Sequence, residues 1–189
     1  MLLFCAESGD PGLPMETGAS AYLAVGILCC RDGEEAARLA RVQEGLRAGL
    51  GWRGEFKWSK MPNEVRMDYL TGMAPIIRSY RVAIWDKQRV ALRPQFRPEM
   101  EVMRVCMDSF EHIEVADRIV IDGERDGRRS SEVRTALGVG EVRIERSHAC
   151  PQLQMADMLV GFHAYTWRKG WRKVPKGLHH LEVNLRWCR

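Results

Sequence analysis

The chain has 189 residues, of which 46% are hydrophobic and 29% charged, as in a soluble globular protein that forms one domain. The formal net charge of +4 is too small to predict a partner by itself. The six cysteines form no CxxC pair and no cysteine–histidine ligand spacing, which argues against a zinc site. We expect a cytoplasmic protein with no membrane partner, because no leader and no bilayer-length apolar run is visible.

Two short apolar runs predict the first two strands. Leu2–Cys5 starts the first, which ends in the turn-forming sequence ESGDPG, and the second covers residues 21–30. The linker at 13–20 is rich in turn-forming residues, so a β-hairpin or meander is expected. An amphipathic helix over 33–50 follows, with apolar residues on one side and charged residues on the other.

The segment at 54–60, GEFKWSK, places charged and aromatic side chains alternately. In an extended conformation Glu55 and Lys57 point to one face, and Phe56 and Trp58 to the other. This arrangement makes Glu55 and Lys57 candidate site residues. The alternative is an exposed ion pair beside ordinary aromatic packing.

In the rest of the chain, segments with the apolar spacing of a helix alternate with segments that have the apolar pattern of a strand. Helices are predicted over 62–80, 98–115, 130–137 and 152–165, and strands over 81–86, 117–122 and 142–145. Alternation of this kind favours an α/β fold, with one mixed sheet flanked by helices on both faces. Neither GxGxxG nor GxxxxGK[ST] occurs, so the sequence shows no motif for binding a nucleotide cofactor.

The last residues differ from the rest in composition. We predict a domain over 1–166 and a basic extension over 167–189, in which tryptophans alternate with lysines and arginines. Lysine and arginine side chains can bind phosphates, and the aromatic rings interleaved with them can stack on nucleobases. The alternative is a solvated tail that its tryptophans anchor to the domain. The candidate substrate contacts here are Arg168, Lys169 and Trp171.

Acidic residues fall at four separate places: the end of the first strand, the GEFKWSK segment, the end of the strand at 117–122, and the late helix. Carboxylates gathered from separate elements repel one another unless cations neutralise them, and Mg²⁺ prefers oxygen ligands. Two such ions can support phosphodiester hydrolysis. Each residue also has a structural alternative as part of a turn or an ion pair. The candidates are Glu7, Asp10, Glu55, Asp122 and Asp157.

Five pieces of the sequence occur in a familiar order. They are the opening strand with ESGDPG, the strand AYLAVGIL, the E-x-K of Glu55 and Lys57, the strand that ends in Asp122, and SHACPQLQMADMLVG. In these the chain resembles the prokaryotic family catalogued as domain of unknown function 3800, whose members are variants of the ribonuclease H-like fold. The resemblance extends to about Tyr165 and is carried most specifically by Ser147 and the Leu153–Asp157 stretch.

The resemblance implies a nuclease-type centre that uses Mg²⁺ or Mn²⁺, with Glu55, Asp122 and Asp157 as its ligands. Asp10 is a further candidate ligand if its loop folds back. Lys57 would balance charge or contact phosphate, and Ser8 and Ser147 would position a loop or the substrate. Gln154, in the same motif, is a candidate substrate contact. His148 could move protons, although a lone loop histidine is more often a surface residue.

The sequence departs from the family at one catalytic position. Where members carry an aspartate just before ESG, this chain has Ala6, which offers no ligand. Glu7 is a poor substitute because side chains alternate along a strand. Three explanations are open: a deliberate inactivation, a lineage that lost catalysis and kept binding, or rescue of the site by Glu7 or Asp10.

We therefore predict a metal-dependent nuclease that acts on RNA or DNA and that Ala6 inactivates or impairs. The competing hypothesis is a non-catalytic module that binds nucleic acid or protein on the same fold. The sequence does not separate RNA from DNA, endo- from exonucleolytic cleavage, or one oligomeric state from another.

Overall fold

The computed structural model describes residues 1–12, 20–88, 97–110, 116–124, 127–170 and, by backbone alone, 185–187. The described helices and strands alternate much as the sequence predicts. In chain order they are β1 (Leu2–Gly9), β2 (Tyr22–Cys30), α1 (Gly33–Gly49), α2 (Asn63–Met73), β3 (Ser79–Asp86), α3 (Pro98–Met107), β4 (Arg118–Asp122), α4 (Gly127–Leu137), β5 (Glu141–Glu145), α5 (Pro151–Arg168) and β6 (Leu185–Trp187).

The strands form one mixed sheet in the order β5-β4-β1-β2-β3-β6. β1, β2 and β3 are antiparallel neighbours, so the predicted hairpin or meander is confirmed. β4 pairs in parallel with β1, and β5 in parallel with β4. The carboxyl ends of β1, β4 and β5 consequently point in the same direction, and open α/β sheets bind ligands beyond the carboxyl ends of their strands.

Two apolar layers cover the sheet, one on each face. On β1, Phe4 and Ala6 belong to a core that also contains residues of α1, α2 and α5. Leu3 and Cys5 belong to a second core that contains residues of α3 and α4. The strict alternation along β1 thus sends successive side chains to opposite layers. The predicted mixed sheet with helices on both faces is confirmed.

Local sequence explains where α1 begins. The Asp32 side chain accepts a hydrogen bond from the backbone N–H of Glu35 at 2.8 Å, and Glu35 in turn accepts one from the backbone N–H of Arg31 at 2.9 Å. These bonds satisfy donors that the first turn of a helix leaves unpaired. Acidic residues in the first turn and Arg47 in the last suit the helix dipole.

Several predicted boundaries are wrong. The helix predicted over 62–80 ends at Met73, because Pro75 cannot continue the α-helical bonds; it lies in a 3₁₀ turn, Ala74–Ile76. β3 then begins two residues earlier than predicted, at Ser79. The helix predicted over 98–115 ends at Met107, and residues 111–115 lie outside the described ranges. α4 begins three residues earlier than predicted, at Gly127.

The expected division between 166 and 167 falls inside α5, which continues to Arg168. Part of the predicted extension also joins the sheet, because Leu185–Trp187 pairs in parallel with Val82–Ile84 of β3. Residues 171–184, 188 and 189 lie outside the described ranges, as do 13–19 of the linker. Among the helices that the structure describes, none combines the length and apolar character needed to cross a bilayer.

Candidate functional site

Ala6 lies in the second half of β1, beside Asp122 at the end of β4. The β1–β4 register pairs Cys5 with Ile121, so the next step along the two strands brings Ala6 next to Asp122. The β4–β5 register then pairs Asp122 with Glu145. Three neighbouring strands therefore place Ala6, Asp122 and Glu145 in one row across the sheet.

This row faces α5. Ala6 is 1% exposed and belongs to the same core layer as Phe4, Val120 and the inner side of α5. Asp122 is two residues beyond Val120, so alternation directs it to the same face. Asp157 of α5 is 8% exposed and lies on this side of the sheet. Ala6 thus lies beside Asp122 and on the side of the sheet that carries Asp157.

Two polar residues of α5 hold the segment that carries Glu55. The backbone N–H of Phe56 donates to Oε1 of Gln154 at 3.1 Å, and the backbone N–H of Trp58 donates to Oδ2 of Asp157 at 2.6 Å. Gln154 and Asp157 are three residues apart, so they lie on one face of the helix. The buried Phe56 ring, which packs on Tyr69 with 4.5 Å between centroids, fixes the segment further.

Ser147 joins two of the carboxylates. Its hydroxyl donates to Oε1 of Glu55 at 2.5 Å, and its backbone N–H donates to Oδ1 of Asp122 at 2.9 Å. Its carbonyl accepts a hydrogen bond from Nε2 of Gln154 at 3.0 Å. Because Ser147 is buried, these bonds connect the end of β4, the GEFKWSK segment and the start of α5 within the protein.

Two lysines pair with the same carboxylates. The ammonium of Lys57 lies 3.7 Å from Oδ2 of Asp122, and that of Lys60 lies 3.4 Å from Oε2 of Glu55. Both lysine side chains are partly or largely exposed, so each pair adds little to stability. The pairs still offset the repulsion between carboxylates that the sequence predicts.

The electrostatics of the cluster are uneven. Burial raises the pKa of Asp157 to about 6, although the hydrogen bond from Trp58 and the nearby Lys57 lower it; Asp122 and Glu55 raise it further. At Glu55 burial also raises the pKa, but the hydrogen bond from Ser147 and the two lysines outweigh it, and the pKa is lowered. The cluster therefore joins an ionised carboxylate to one that gains a proton near pH 6.

Glu7 and Asp10 form ion pairs outside this hydrogen-bonded cluster. Glu7 pairs with Arg129 of α4 at 2.8 Å, and burial raises the pKa of Glu7 despite that arginine. Asp10 accepts hydrogen bonds from Ser20, Gly12 and the buried Lys87, and the bond from the Ser20 backbone contributes most to lowering its pKa to about 2. Both residues are thus engaged in pairs of their own.

The remaining candidates have varied surroundings. The Ser8 hydroxyl lies 3.3 Å from that of Tyr22. Gln154 is buried and bonded on both its amide atoms, so it supports the site from within. Arg168 and Lys169 are exposed at the end of α5, and Trp171 lies outside the described residues.

Sequence reasoning missed Glu145 and the space beside it. A cavity of about 510 Å³ adjoins the carboxyl ends of β4 and β5, and Glu145 is among the residues that line it. Glu145 ends a short strand much as Asp122 does, and that likeness was the one signal available in the sequence. Glu145 lies next to Asp122 because β4 and β5 pair in the sheet, although α4 separates the two strands in the sequence.

The carboxylates, as arranged, do not fit the Mg²⁺ or Mn²⁺ centre that the resemblance implies. Within the described ranges, no three aspartate, glutamate, histidine or cysteine side chains are grouped so that they could hold one ion. Ser147 already donates to one oxygen of Glu55 and one of Asp122, and the second oxygens form ion pairs with Lys60 and Lys57. Ala6 contributes no oxygen beside Asp122.

No protein-family model matches the chain, and no curated protein matches it either. Among solved structures it is similar to ribonuclease H2 from Pyrococcus horikoshii OT3, with 14% identity, a TM-score of 0.57 and coverage of 89% of this chain and 78% of that one. It is also similar to a chain of the PCNA:RNase HII complex from Archaeoglobus fulgidus, with 15% identity, a TM-score of 0.49 and coverage of 94% and 80%.

At such low identity the likeness to the Pyrococcus structure establishes the fold alone. The α/β ribonuclease H-like fold predicted from the sequence is confirmed. Membership of the domain of unknown function 3800 family stays a prediction.

Proposed function

We propose that the chain is a nuclease-like protein whose phosphodiester-cleaving centre is impaired by Ala6. The observation that carries the proposal is the position of Ala6, which lies beside Asp122 at the end of β4 and on the face of the sheet that α5, the helix of Asp157, covers. A carboxylate at this position would complete an acidic group drawn from several elements, as hydrolysis of RNA or DNA with Mg²⁺ or Mn²⁺ requires. The similarity to a ribonuclease H2 structure supports the same class of reaction by fold analogy.

The test compares the chain with its Ala6→Asp variant on labelled single- and double-stranded RNA and DNA. We expect cleavage by the variant with Mg²⁺ or Mn²⁺, its loss with chelator, and a rate at least on the order of 10²-fold above that of the unaltered chain. The matched controls are Ala6→Asn, which has nearly the same shape without the charge, and Ala6→Asp combined with Asp122→Asn. Neither control should cleave.

A second measurement does not depend on activity. Because Ala6 is buried, an aspartate there is costly unless a cation neutralises it. We expect Ala6→Asp to lower the melting temperature in chelator, and Mn²⁺ to restore it, since a ligand that binds only the folded state stabilises it. Mn²⁺ should leave the melting temperature of the unaltered chain unchanged.

The alternative is a non-catalytic binding module, and one observation favours it. The oxygens of Glu55 and Asp122 already accept hydrogen bonds from Ser147 and form ion pairs with Lys60 and Lys57, so this cluster holds elements together without an ion. This alternative predicts salt-sensitive binding of nucleic acid that chelator does not affect. If neither the chain nor Ala6→Asp cleaves any of the four substrates, the nuclease proposal is wrong and the binding module replaces it.

A further inference from the structure

The cavity beside the carboxylate row combines apolar and charged walls. Ile144 and Ala149 supply the apolar part, while Glu145, Arg146 and His148 supply groups that can form hydrogen bonds. Its volume of about 510 Å³ falls in the range of about 300–1,000 Å³ that is typical of small-molecule sites. Gly123 also lines the cavity.

The cavity is joined to the carboxylate cluster through the backbone. Gly123 directly follows Asp122, and Arg146 and His148 flank Ser147, which bonds both Asp122 and Glu55. A Cβ at position 123 would lie 3.1 Å from the Arg129 guanidinium and 3.4 Å from the Ile144 side chain, so a larger residue would crowd this wall. A molecule in the cavity would therefore lie next to the site at which cleavage is proposed.

The polar groups in the lining are available for a ligand. Glu145 and His148 form no side-chain hydrogen bond or ion pair with another described residue. Arg146 pairs with Glu124 at 2.9 Å, but both side chains are mostly exposed, so the pair is weak and a phosphate could replace the carboxylate. A carboxylate that has no partner among the described residues, beside a replaceable guanidinium, suits a ligand that carries both N–H donors and negative charge.

We propose that this cavity binds one unpaired nucleotide of a single-stranded RNA or DNA segment. This inference rests on the proposed function, since it names the form of nucleic acid that the same site takes. Arg146 contacts the backbone phosphate, and Glu145 accepts a hydrogen bond from the exocyclic amino group of adenine, cytosine or guanine, as carboxylates do with cytosine elsewhere. Ile144 and Ala149 pack against the base.

The nucleic acid must be single-stranded at the bound nucleotide for a geometric reason. A base that is stacked and paired in a duplex cannot enter a pocket, so proteins that receive a base in one use unpaired strands or extrude the nucleotide. Extrusion costs energy that an unpaired strand does not require. The cavity therefore selects single strands over duplexes of the same sequence.

Binding is measured by fluorescence anisotropy with the unaltered chain, which is expected not to cleave, in the presence of chelator. The probes are labelled oligonucleotides of about 10 nucleotides, within the site size of single-strand-binding modules. Oligo(A) and oligo(C) are compared with oligo(U) and oligo(T), and each with its duplex. Arg146→Gln is matched by Arg38→Gln on exposed α1, and Glu145→Gln by Glu34→Gln.

We expect Arg146→Gln to weaken all single-strand binding roughly 5- to 10-fold and to reduce the salt slope by about 1, as the loss of one phosphate contact predicts. Arg38→Gln should change the affinity less than about 2-fold, since Arg38 is not among the residues that line the cavity and its exposed charge adds only screened attraction. The unaltered chain should prefer oligo(A) and oligo(C) roughly 5-fold or more, which is the low end for one specific base contact. Glu145→Gln should remove that preference, because its amide can donate to the carbonyl of uracil or thymine as well as accept from an amino group, and Glu34→Gln should not.

Three results would overturn the inference: no binding of single strands at all, equal binding of duplexes, or equal effects of Arg146→Gln and Arg38→Gln. These results are separate from the fate of the proposed function. If Ala6→Asp cleaves but Arg146→Gln behaves like its control, the cavity proposal fails and the nuclease proposal stands. If Arg146→Gln and Glu145→Gln act as expected while Ala6→Asp never cleaves, the cavity binds a strand that the protein does not cut.

Discussion

Asp157 contributes in two ways, as a carboxylate of the candidate site and as a hydrogen-bond acceptor that holds the chain. One of its oxygens accepts the N–H of Trp58, which places Glu55 and Lys57 beside Asp122. A side chain of this kind would be retained for packing even in a protein without catalysis. Removing the charge of Asp157 therefore tests the electrostatics of the site, and removing its oxygens tests whether Asp157 holds the segment at 54–60 in place.

The raised pKa of Asp157 predicts the pH dependence of stability. In the unfolded chain the carboxyl titrates near 3.8 and in the folded chain near 6, so between these values the folded state binds more protons. Stability consequently falls as pH rises from 4 to 6. At about 1.4 kcal/mol per pKa unit, this difference corresponds to about 3 kcal/mol.

We expect Asp157→Asn to reduce the loss of unfolding free energy between pH 4 and pH 7 by about 3 kcal/mol, because asparagine still accepts from Trp58 but does not ionise. Urea denaturation at pH 4, 5, 6 and 7 measures it. Asp68→Asn, an exposed residue of α2, is the matched control and should leave the pH profile unchanged. An identical profile for Asp157→Asn and the unaltered chain would show that Asp157 does not titrate near pH 6.

The contact between α5 and the turn at Trp58–Lys60 positions the site at the scale of whole elements. Gly161 faces Trp58 so closely that a Cβ would overlap the tryptophan side chain and lie within 2.8 Å of its Cδ1. The Trp58 ring is also held by Phe162, Tyr165 and the guanidinium of Arg66, so it has little freedom to move aside. Gly161 is thus required for close approach, despite its low helix propensity.

This contact predicts opposite effects of one substitution at two helical glycines. We expect Gly161→Ala to destabilise the protein by about 1–3 kcal/mol, as overpacking usually does. Gly45→Ala in α1, where nothing lies within 4 Å of the added Cβ, should stabilise it by about 0.5–1 kcal/mol through helix propensity alone. Urea denaturation of both variants measures the difference. A gain in stability at both positions would mean that α5 and the Trp58 turn are not in tight contact.

At the scale of the whole molecule, the sheet is extended by residues far along the chain. Leu185–Trp187 pairs with Val82–Ile84, so β6 covers the edge that β3 would otherwise expose. Unpaired edge strands are templates for association with other chains. The stretch at 167–189, expected to serve as a basic extension, thus also contributes to the sheet.

We expect deletion of 185–189 to lower the melting temperature and to cause self-association that grows with concentration, because β3 becomes an open edge. Light scattering coupled to size-exclusion chromatography detects it. Deletion of 188–189 alone leaves β6 in place and is the matched control. If both deletions behave alike, the β3–β6 pairing does not protect the edge.

Local sequence predicted most of the elements and failed at their ends. The apolar runs of β1 and β2 and the helical spacing around Leu153–Asp157 required only neighbouring residues to interpret. The end of α2 was predicted seven residues late, at 80 instead of Met73, because its apolar residues continue past Pro75 into β3. Apolar periodicity does not mark the point at which one element gives way to the next.

The sequence by itself determined the fold class, the order of the elements as far as α5 and the opposite directions of Ala6 and Glu7, since all three follow from periodicity along the chain. Only the tertiary structure decided which groups meet. Ser147 joins Glu55 to Asp122, Lys57 and Lys60 pair with the carboxylates, and Glu145 lies beside Asp122 next to a cavity. These contacts join residues up to about a hundred positions apart, and strand register and helix packing fix such distances, whereas local sequence does not.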